Sequence, residues 1–267
     1  MTKLDLTIGA KELKAFVNSL AILTEFNLDV KNDGIHIHAM DPSTISMVET
    51  CMPKNLFSKW KVTEGHINVD ADLMRKALKK IKDKDKVSIK TIAGNPPKMV
   101  FTINTETREI PYSETQDKTE KKEPEVRFTA QVTIPAKELK DAVSKVNKID
   151  KSMLLIFKDK KLILFAKNTP ETIRMEMPIK GEVKDMTTLH LNTKYILEML
   201  RATKKDTNVK LGIKTDEPVQ ISYNTGSTDV KYWLAPRIED EKEELIKEAL
   251  HPSKAAKINK EKERIHS

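Results

Sequence analysis

Apolar residues recur along this chain at two spacings. Four stretches follow the helical period. Over 9–23, Leu13, Phe16, Val17 and Leu20 fall at i, i+3, i+4 and i+7. Over 72–82 the stripe is Leu73, Met74, Ala77, Leu78 and Ile81; over 136–148 it is Leu139, Ala142, Val143 and Val146; over 193–205 it is Ile196, Leu197 and Leu200. Each predicts an amphipathic helix with one buried face. Asp70 and Asp72, or Asn192 and Thr193, suit the N-caps. Elsewhere apolar and polar residues alternate, as in Ile35–Met40, Val87–Ile92, Met99–Ile103, Val132–Ile134, Leu162–Phe165, Thr188–Leu191, Val209–Ile213, Val219–Tyr223 and Val230–Leu234. That pattern predicts strands of sheets with one covered face. Turns such as Asn32-Asp33-Gly34 and Gly94-Asn95-Pro96-Pro97 separate them.

The second half of the pattern repeats the first. AKELK stands at Ala10–Lys14 and again at Ala136–Lys140. Ile35–Glu49 has a partner in Leu162–Met177, and Val87–Thr91 (VSIKT) has one in Leu211–Thr215 (LGIKT). The offsets are 126, about 127 and 124, which is a domain length and not a solenoid period. The fold class expected is α+β, two similar domains each with two helices on an antiparallel sheet. The divisions expected are a first domain over 1–115, a connector over 116–125, a second domain over 126–240 and a polar tail over 241–267. Gln116–Glu125 (QDKTEKKEPE) has no apolar side chain, so it reads as an exposed connector. In the tail, DEKEELIKEAL predicts a short helix, and the rest reads as disordered.

Charge changes the picture once it is located. The chain of 267 residues carries a net charge of +8. The four helical stretches hold 15 Lys and Arg against five acids, whereas all other residues together are slightly acidic. The basic excess therefore lies opposite the apolar stripes, where it suits phosphate contacts. Such contacts position a protein on DNA without reading bases. No zinc-finger spacing, basic zipper or aromatic stacking signature is present, so the expected binding is non-specific and salt-sensitive. One cysteine, no apolar run near 18 residues and a polar N-terminus place the expected protein inside a cell.

Candidate chemistry is thin. GxGxxG, GxxxxGK[ST], HExxH and GxSxG are all missing. His36 and His38 share one strand face at a spacing that metal ligands can use, but no further ligand cluster accompanies them. Cys51 has nothing beside it to lower its pKa, and it reads as inert. No catalytic residue, metal or cofactor is expected, and the protein is not expected to be an enzyme.

Tyr232–Asp240 reads YWLAPRIED, and Asp33-Gly34 is followed by Ala39-Met40-Asp41-Pro42-Ser43, Ile45, Met47 and Val48. Both segments resemble signatures of the sliding-clamp family, proliferating cell nuclear antigen, in an archaeal style, over about residues 1–240. The resemblance implies a ring of three subunits around duplex DNA that tethers polymerase and other replication and repair enzymes. It implies opening by an ATP-driven clamp loader, so that ATP is not its own ligand, and residence in the cytoplasm or nucleoid of an archaeon or the nucleus of a eukaryote. It implies DNA contacts from Lys14, Lys76, Lys79, Lys194 and Arg201. Helix charge adds Lys11, Lys80, Lys140, Lys145, Lys204 and Lys205. Asp141 and Ser144 stand where relatives often carry bases. Short partner motifs would enter a groove of Met40, Ile45, Met47, Trp233, Leu234, Ala235 and Pro236. Where relatives offer an apolar connector wall this chain has none; Tyr112 and Val126 are the nearest substitutes, and Lys118, Lys121 and Lys122 would steer acidic flanks. Subunits would meet through the strands near Ile110 and Met175, one from each half. Two other readings stay open at this point, a subunit of a hetero-trimeric clamp and a non-ring DNA-processing enzyme.

Overall fold

The computed structural model describes residues 2–115 and 122–251. The first half runs β1 (Leu4–Gly9), α1 (Ala10–Ser19), β2 (Glu25–Lys31), β3 (Gly34–Met40), β4 (Ser46–Pro53), β5 (Phe57–Val62), β6 (Gly65–Asp70), α2 (Ala71–Leu78), β7 (Lys86–Ile92), β8 (Lys98–Ile103) and β9 (Glu106–Pro111), then a short β10 (Ser113–Glu114). The second runs β11 (Ala130–Pro135), α3 (Ala136–Ile149), β12 (Ser152–Lys158), β13 (Lys161–Asn168), β14 (Glu171–Pro178), β15 (Lys180–Val183), β16 (Thr187–Asn192), α4 (Thr193–Met199), β17 (Asn208–Ile213), β18 (Val219–Asn224) and β19 (Asp229–Leu234), then α5 (Lys242–Leu250). Apart from β10 and α5, the halves match element for element, as the sequence repeat requires.

The sheets repeat too. A five-stranded sheet, β5-β1-β7-β8-β9, belongs to the first half, and a four-stranded sheet, β14-β13-β12-β16, belongs to the second. The third has ten strands, β10-β6-β2-β3-β4-β19-β18-β17-β11-β15, and crosses from one half to the other. The crossing is the antiparallel pair β4–β19, with Trp233 opposite Met47 and Leu234 opposite Ser46. By the repeat, β14 is the counterpart of β4 and β9 the counterpart of β19. Those two strands are sheet edges left without a partner.

The four repeated helices cover one side. Phe16, Leu13 and Val17 of α1, Met74 and Leu78 of α2, Leu139 and Val143 of α3 and Ile196 of α4 all enter a core shared by both halves. Asp70 accepts from the Leu73 amide at 2.8 Å and Asn192 from the Lys194 amide at 2.9 Å, so both expected caps form. α2 and α4 end sooner than periodicity alone predicts, at Leu78 and Met199.

The expectation of one covered face fails for β12 and β13. Met153, Leu155 and Phe157 face the shared core, and Leu154 and Ile156 face the opposite way beside Ile163 and Phe165. α5 lies on this second surface through Leu245, Ile246, Ala249 and Leu250. The runs MLLIF and LILFA are continuous because both faces are covered. Lys167 pairs with Glu248 at 2.8 Å, and Arg174 Nε donates to the Ala249 carbonyl at 2.5 Å, fixing the helix end. The short helix expected in the tail therefore forms and packs. Residues 252–267 and 116–121, most of the expected disordered end and connector, lie outside the described residues.

Candidate functional site

The basic face is narrower in helical residues than the sequence implies. α1 to α4 as formed carry nine Lys and Arg; Lys79, Lys80, Lys82, Arg201, Lys204 and Lys205 stand in the turns after α2 and α4. α1 packs on α2 and α3 on α4. The Asp83 carboxyl is held below its usual range, first by a hydrogen bond from Lys14, with Lys11 and Lys204 adding their charge. Lys204, whose Nζ lies beside Gly226, is thus near enough for its charge to act at Asp83. Lys11, Lys76, Lys79, Lys80, Lys145 and Lys194 are exposed, and among the described residues no hydrogen bond or ion pair ties their ammonium groups. Lys14 differs: its Nζ donates to the Ile81 carbonyl at 2.8 Å and to Asp83 at 2.5 Å. Lys140 donates to the Leu200 carbonyl at 3.4 Å, and Arg201 pairs with Glu198 at 3.1 Å. On α3 Lys137 pairs with Asp141 at 2.7 Å, so this acid removes a charge from the face.

The two expected contact strands are both free edges, but their named residues differ. Met175 and its neighbour Ile173 are half-buried at the margin of the core. Ile110 is 4% exposed, opposite Met99 within its own protomer. A charge at Ile110 would therefore disrupt the fold of the protomer and says nothing about association. The outward groups of β9 are Thr107 and Glu109.

The groove is likewise thinner than expected. Met47, Trp233 and Leu234 are 4%, 5% and 1% exposed. Met47 and Trp233 stand opposite each other across the β4–β19 pair and form the floor, whereas Leu234, the next residue, faces the shared core on the other side of the sheet and is not part of the groove. The accessible apolar groups are Met40, Ile45, Ala235 and Pro236, with Ile45 38% exposed. Ala235 donates its amide to the Ile45 carbonyl at 2.8 Å, locking the two segments together. On the connector side, Lys231 lies 2.6 Å from Glu49 and 2.7 Å from Glu123. Tyr112 is buried and Val126 half-buried. An aromatic group that the sequence pattern does not single out is Phe128, stacked on Trp233 with centroids 6.0 Å apart. Gly212 leaves room for it, since a Cβ there would sit 2.6 Å from the ring. Lys118 and Lys121 lie outside the described residues; Lys122 is exposed.

Asp41 organises the loop under Ile45. Its Oδ1 accepts from the Ile45 and Ser46 amides at 3.0 and 2.7 Å, and its Oδ2 from the Ser43 amide at 2.9 Å and the Tyr195 hydroxyl at 2.7 Å. Burial raises its pKa, but these donors outweigh it and the net shift is downward. The contribution to stability is thus complete above the unfolded value near 3.8 and fades as pH falls through the lower folded value. Asp41→Asn should destabilise the protein by about 1–3 kcal/mol at pH 7, since the amide nitrogen cannot accept. The gap from wild type should narrow as pH falls below 3.8 and through the lower folded value, as read by thermal melts; a gap constant in pH would show that the carboxylate charge is not what holds the loop.

The remaining candidates have local partners. His36 Nε2 is 2.9 Å from Asp33 and 3.7 Å from Cys51 Sγ, and His38 Nε2 is 3.0 Å from Met47 Sδ. Burial, and then the charge of Asp33, push the Cys51 thiol up. Among the described residues no three His, Cys, Asp or Glu side chains are grouped to hold a metal, and no helix is long and apolar enough to cross a membrane.

Comparison with known proteins agrees with this geometry. Residues 5–119 match the model of the proliferating cell nuclear antigen N-terminal domain. The DNA polymerase sliding clamp of Pyrococcus furiosus is 28% identical over 244 residues, covering 87% of this chain and 97% of that protein. The clamp of Thermococcus fumicolans is 26% identical over 242 residues with the same coverage. Among solved structures, the clamp of A. fulgidus bound to the C-terminal region of FEN-1 has a TM-score of 0.75 at 23% identity, over 89% of this chain and all of that one. The clamp of Thermococcus kodakaraensis gives 0.77 at 21% identity and that of Entamoeba histolytica 0.78 at 18%, with the same coverage. Near-complete relatives, a shared fold and the duplicated α+β architecture agree: over nearly its whole length the chain is similar to DNA sliding clamps.

Proposed function

We propose that this chain is a processivity factor, three copies of which close head to tail into a ring around duplex DNA. One observation carries the closure. Inside the protomer, β4 of one half pairs with β19 of the other. The free edges β14 and β9 are the counterparts of those strands, so a pairing between subunits repeats a pairing already made within each. A heterologous contact that closes pairs both of these edges in every subunit. Each protomer would supply two like domains, 1–115 and 126–240. Helices α1 to α4 and the turns after α2 and α4 would line the hole and meet phosphates without reading sequence. The ring performs no bond chemistry itself; it holds polymerase and other DNA enzymes on the template and is opened by a separate loader. Solution mass tests closure: about three times 30.5 kDa is expected. Clamps loaded on circular duplex should stay, and linearising the DNA should release them. A monomer, or equal retention on both forms, would refute the ring.

A solved clamp also holds a partner segment. In the A. fulgidus complex the bound piece is the C-terminal region of FEN-1. For this chain a short apolar motif would dock at Met40, Ile45, Ala235 and Pro236 over the Met47–Trp233 floor. Met40→Ala with Ile45→Ala should weaken a clamp-binding peptide about tenfold or more at any ionic strength, through reduced apolar burial. Neutralising Lys122 should matter only at low salt. Unchanged titration by the double variant would move the docking site elsewhere.

A further inference from the structure

α2 has eight residues and ends without glycine. Lys79 leaves the helix in an extended conformation, and Lys80 follows at φ +74°, in the left-handed region that lysine rarely adopts. Four bases, Arg75, Lys76, Lys79 and Lys80, crowd this end. Their mutual repulsion and the unpaired terminal carbonyls both favour fraying. Arg108, from the edge strand β9, prevents it. Its Nη1 donates to the carbonyls of Ala77 at 2.6 Å, Lys79 at 2.8 Å and Lys76 at 3.3 Å. Its Nε and Nη2 reach Glu106 at 2.8 and 2.7 Å, which fixes the guanidinium plane. The second half closes the corresponding helix differently. There Tyr223, from the buried strand β18, donates to the Met199 carbonyl at 2.6 Å. The end of α4 is thus held by a buried hydroxyl inside the sheet, with a longer hydrogen bond from Lys140 to the Leu200 carbonyl, and the end of α2 by a guanidinium from a free edge.

We propose that Arg108 is a positioning residue for DNA: it sets the turn that aims Lys76, Lys79 and Lys80, and ties that turn to the strand at which the next subunit joins. The proposal rests on the reading of the basic face as the DNA-facing one. Arg108 itself touches no phosphate, since its donors are taken by carbonyls and Glu106. The planar fork matters, because an ammonium cannot reach several carbonyls and a carboxylate together.

The test is anisotropy of a labelled mixed-sequence duplex over a salt series, with full-length protein whose mass is checked in parallel. Arg108→Gln should bind about three- to tenfold more weakly at low salt, with a flatter salt dependence, because the three lysines no longer reach phosphate together. Arg108→Lys should recover part of the affinity, which a role limited to folding stability would not require at temperatures where all forms are folded. Should Arg108→Gln fail to assemble, Glu106→Gln replaces it, leaving the guanidinium present but unclamped; a smaller decrease in the same direction is expected. Lys76→Glu with Lys79→Glu is the reference. If that double variant loses binding while the Arg108 and Glu106 variants bind as wild type, Arg108 does not position the lysines. If the double variant also binds as wild type, the basic-face reading falls, and the proposal with it.

Discussion

Lysine at both Ile173 and Met175 will convert the assembly into monomers of about 30.5 kDa, with a smaller loss in the melting of the protomer than a charge in the core causes. The reason lies in the repeat. β4, paired with β19, has Ser46, Met47 and Val48 buried in a row. Its counterpart β14 has Ile173, Arg174 and Met175 only half-buried, because nothing pairs beyond it. Pairing with β9 of the next subunit would complete their burial. Each side chain then contributes up to about 2 kcal/mol, and a lysine in its place must also shed the water around its charge. Two such changes should weaken each subunit contact at least about 1,000-fold. Ile110→Lys is the contrasting control: its side chain lies in the core of its own protomer, so it should lower the melting temperature instead. Sedimentation across a concentration series reads both. A double variant that stays trimeric would show that β14 is not the contact strand.

Much of this was legible in the sequence, and the rest was not for definite reasons. AKELK, VSIKT and their partners exposed the duplication because each half must place its first helix and its central strand alike. The edges near 107–112 and 173–179 followed from that repeat. The ends of α2 and α4 did not, because distant groups set them. Arg108 is 29 residues from Lys79 and Tyr223 is 24 from Met199, beyond the reach of periodicity. The burial of Met47 and Leu234 likewise depends on a pairing across the two halves, which a linear pattern cannot show. The second apolar face under α5 did leave a signal. MLLIF and LILFA lack the polar residue that alternation would place in them, and a helix-forming stretch remained after β19 to cover them. Phe128 left a weaker one, an aromatic residue just after an all-polar segment.

Reversing the charge of Lys11, Lys76 and Lys194 together should reduce duplex binding by about 100-fold or more at low salt while the trimer persists. These residues come from α1, α2 and α4, and among the described residues none has its ammonium tied by a hydrogen bond or ion pair. Their charge is thus available to phosphate. Removing one phosphate interaction should flatten the slope of log affinity against log salt by roughly 0.9. The same reversal at Lys14, Lys140 and Arg201 should cost less, since Asp83, the Leu200 carbonyl and Glu198 already engage those groups. Counting charges alone predicts equal effects from the two triples, so the comparison isolates the structural contribution. A trimer is needed for either effect to be large, because a closed ring sums weak interactions from every subunit on one duplex. The measurement is equilibrium binding to a short linear duplex over a salt series, with mass determined on the same samples. Binding that survives both the first triple and rising salt would remove the basic face as the DNA-binding surface.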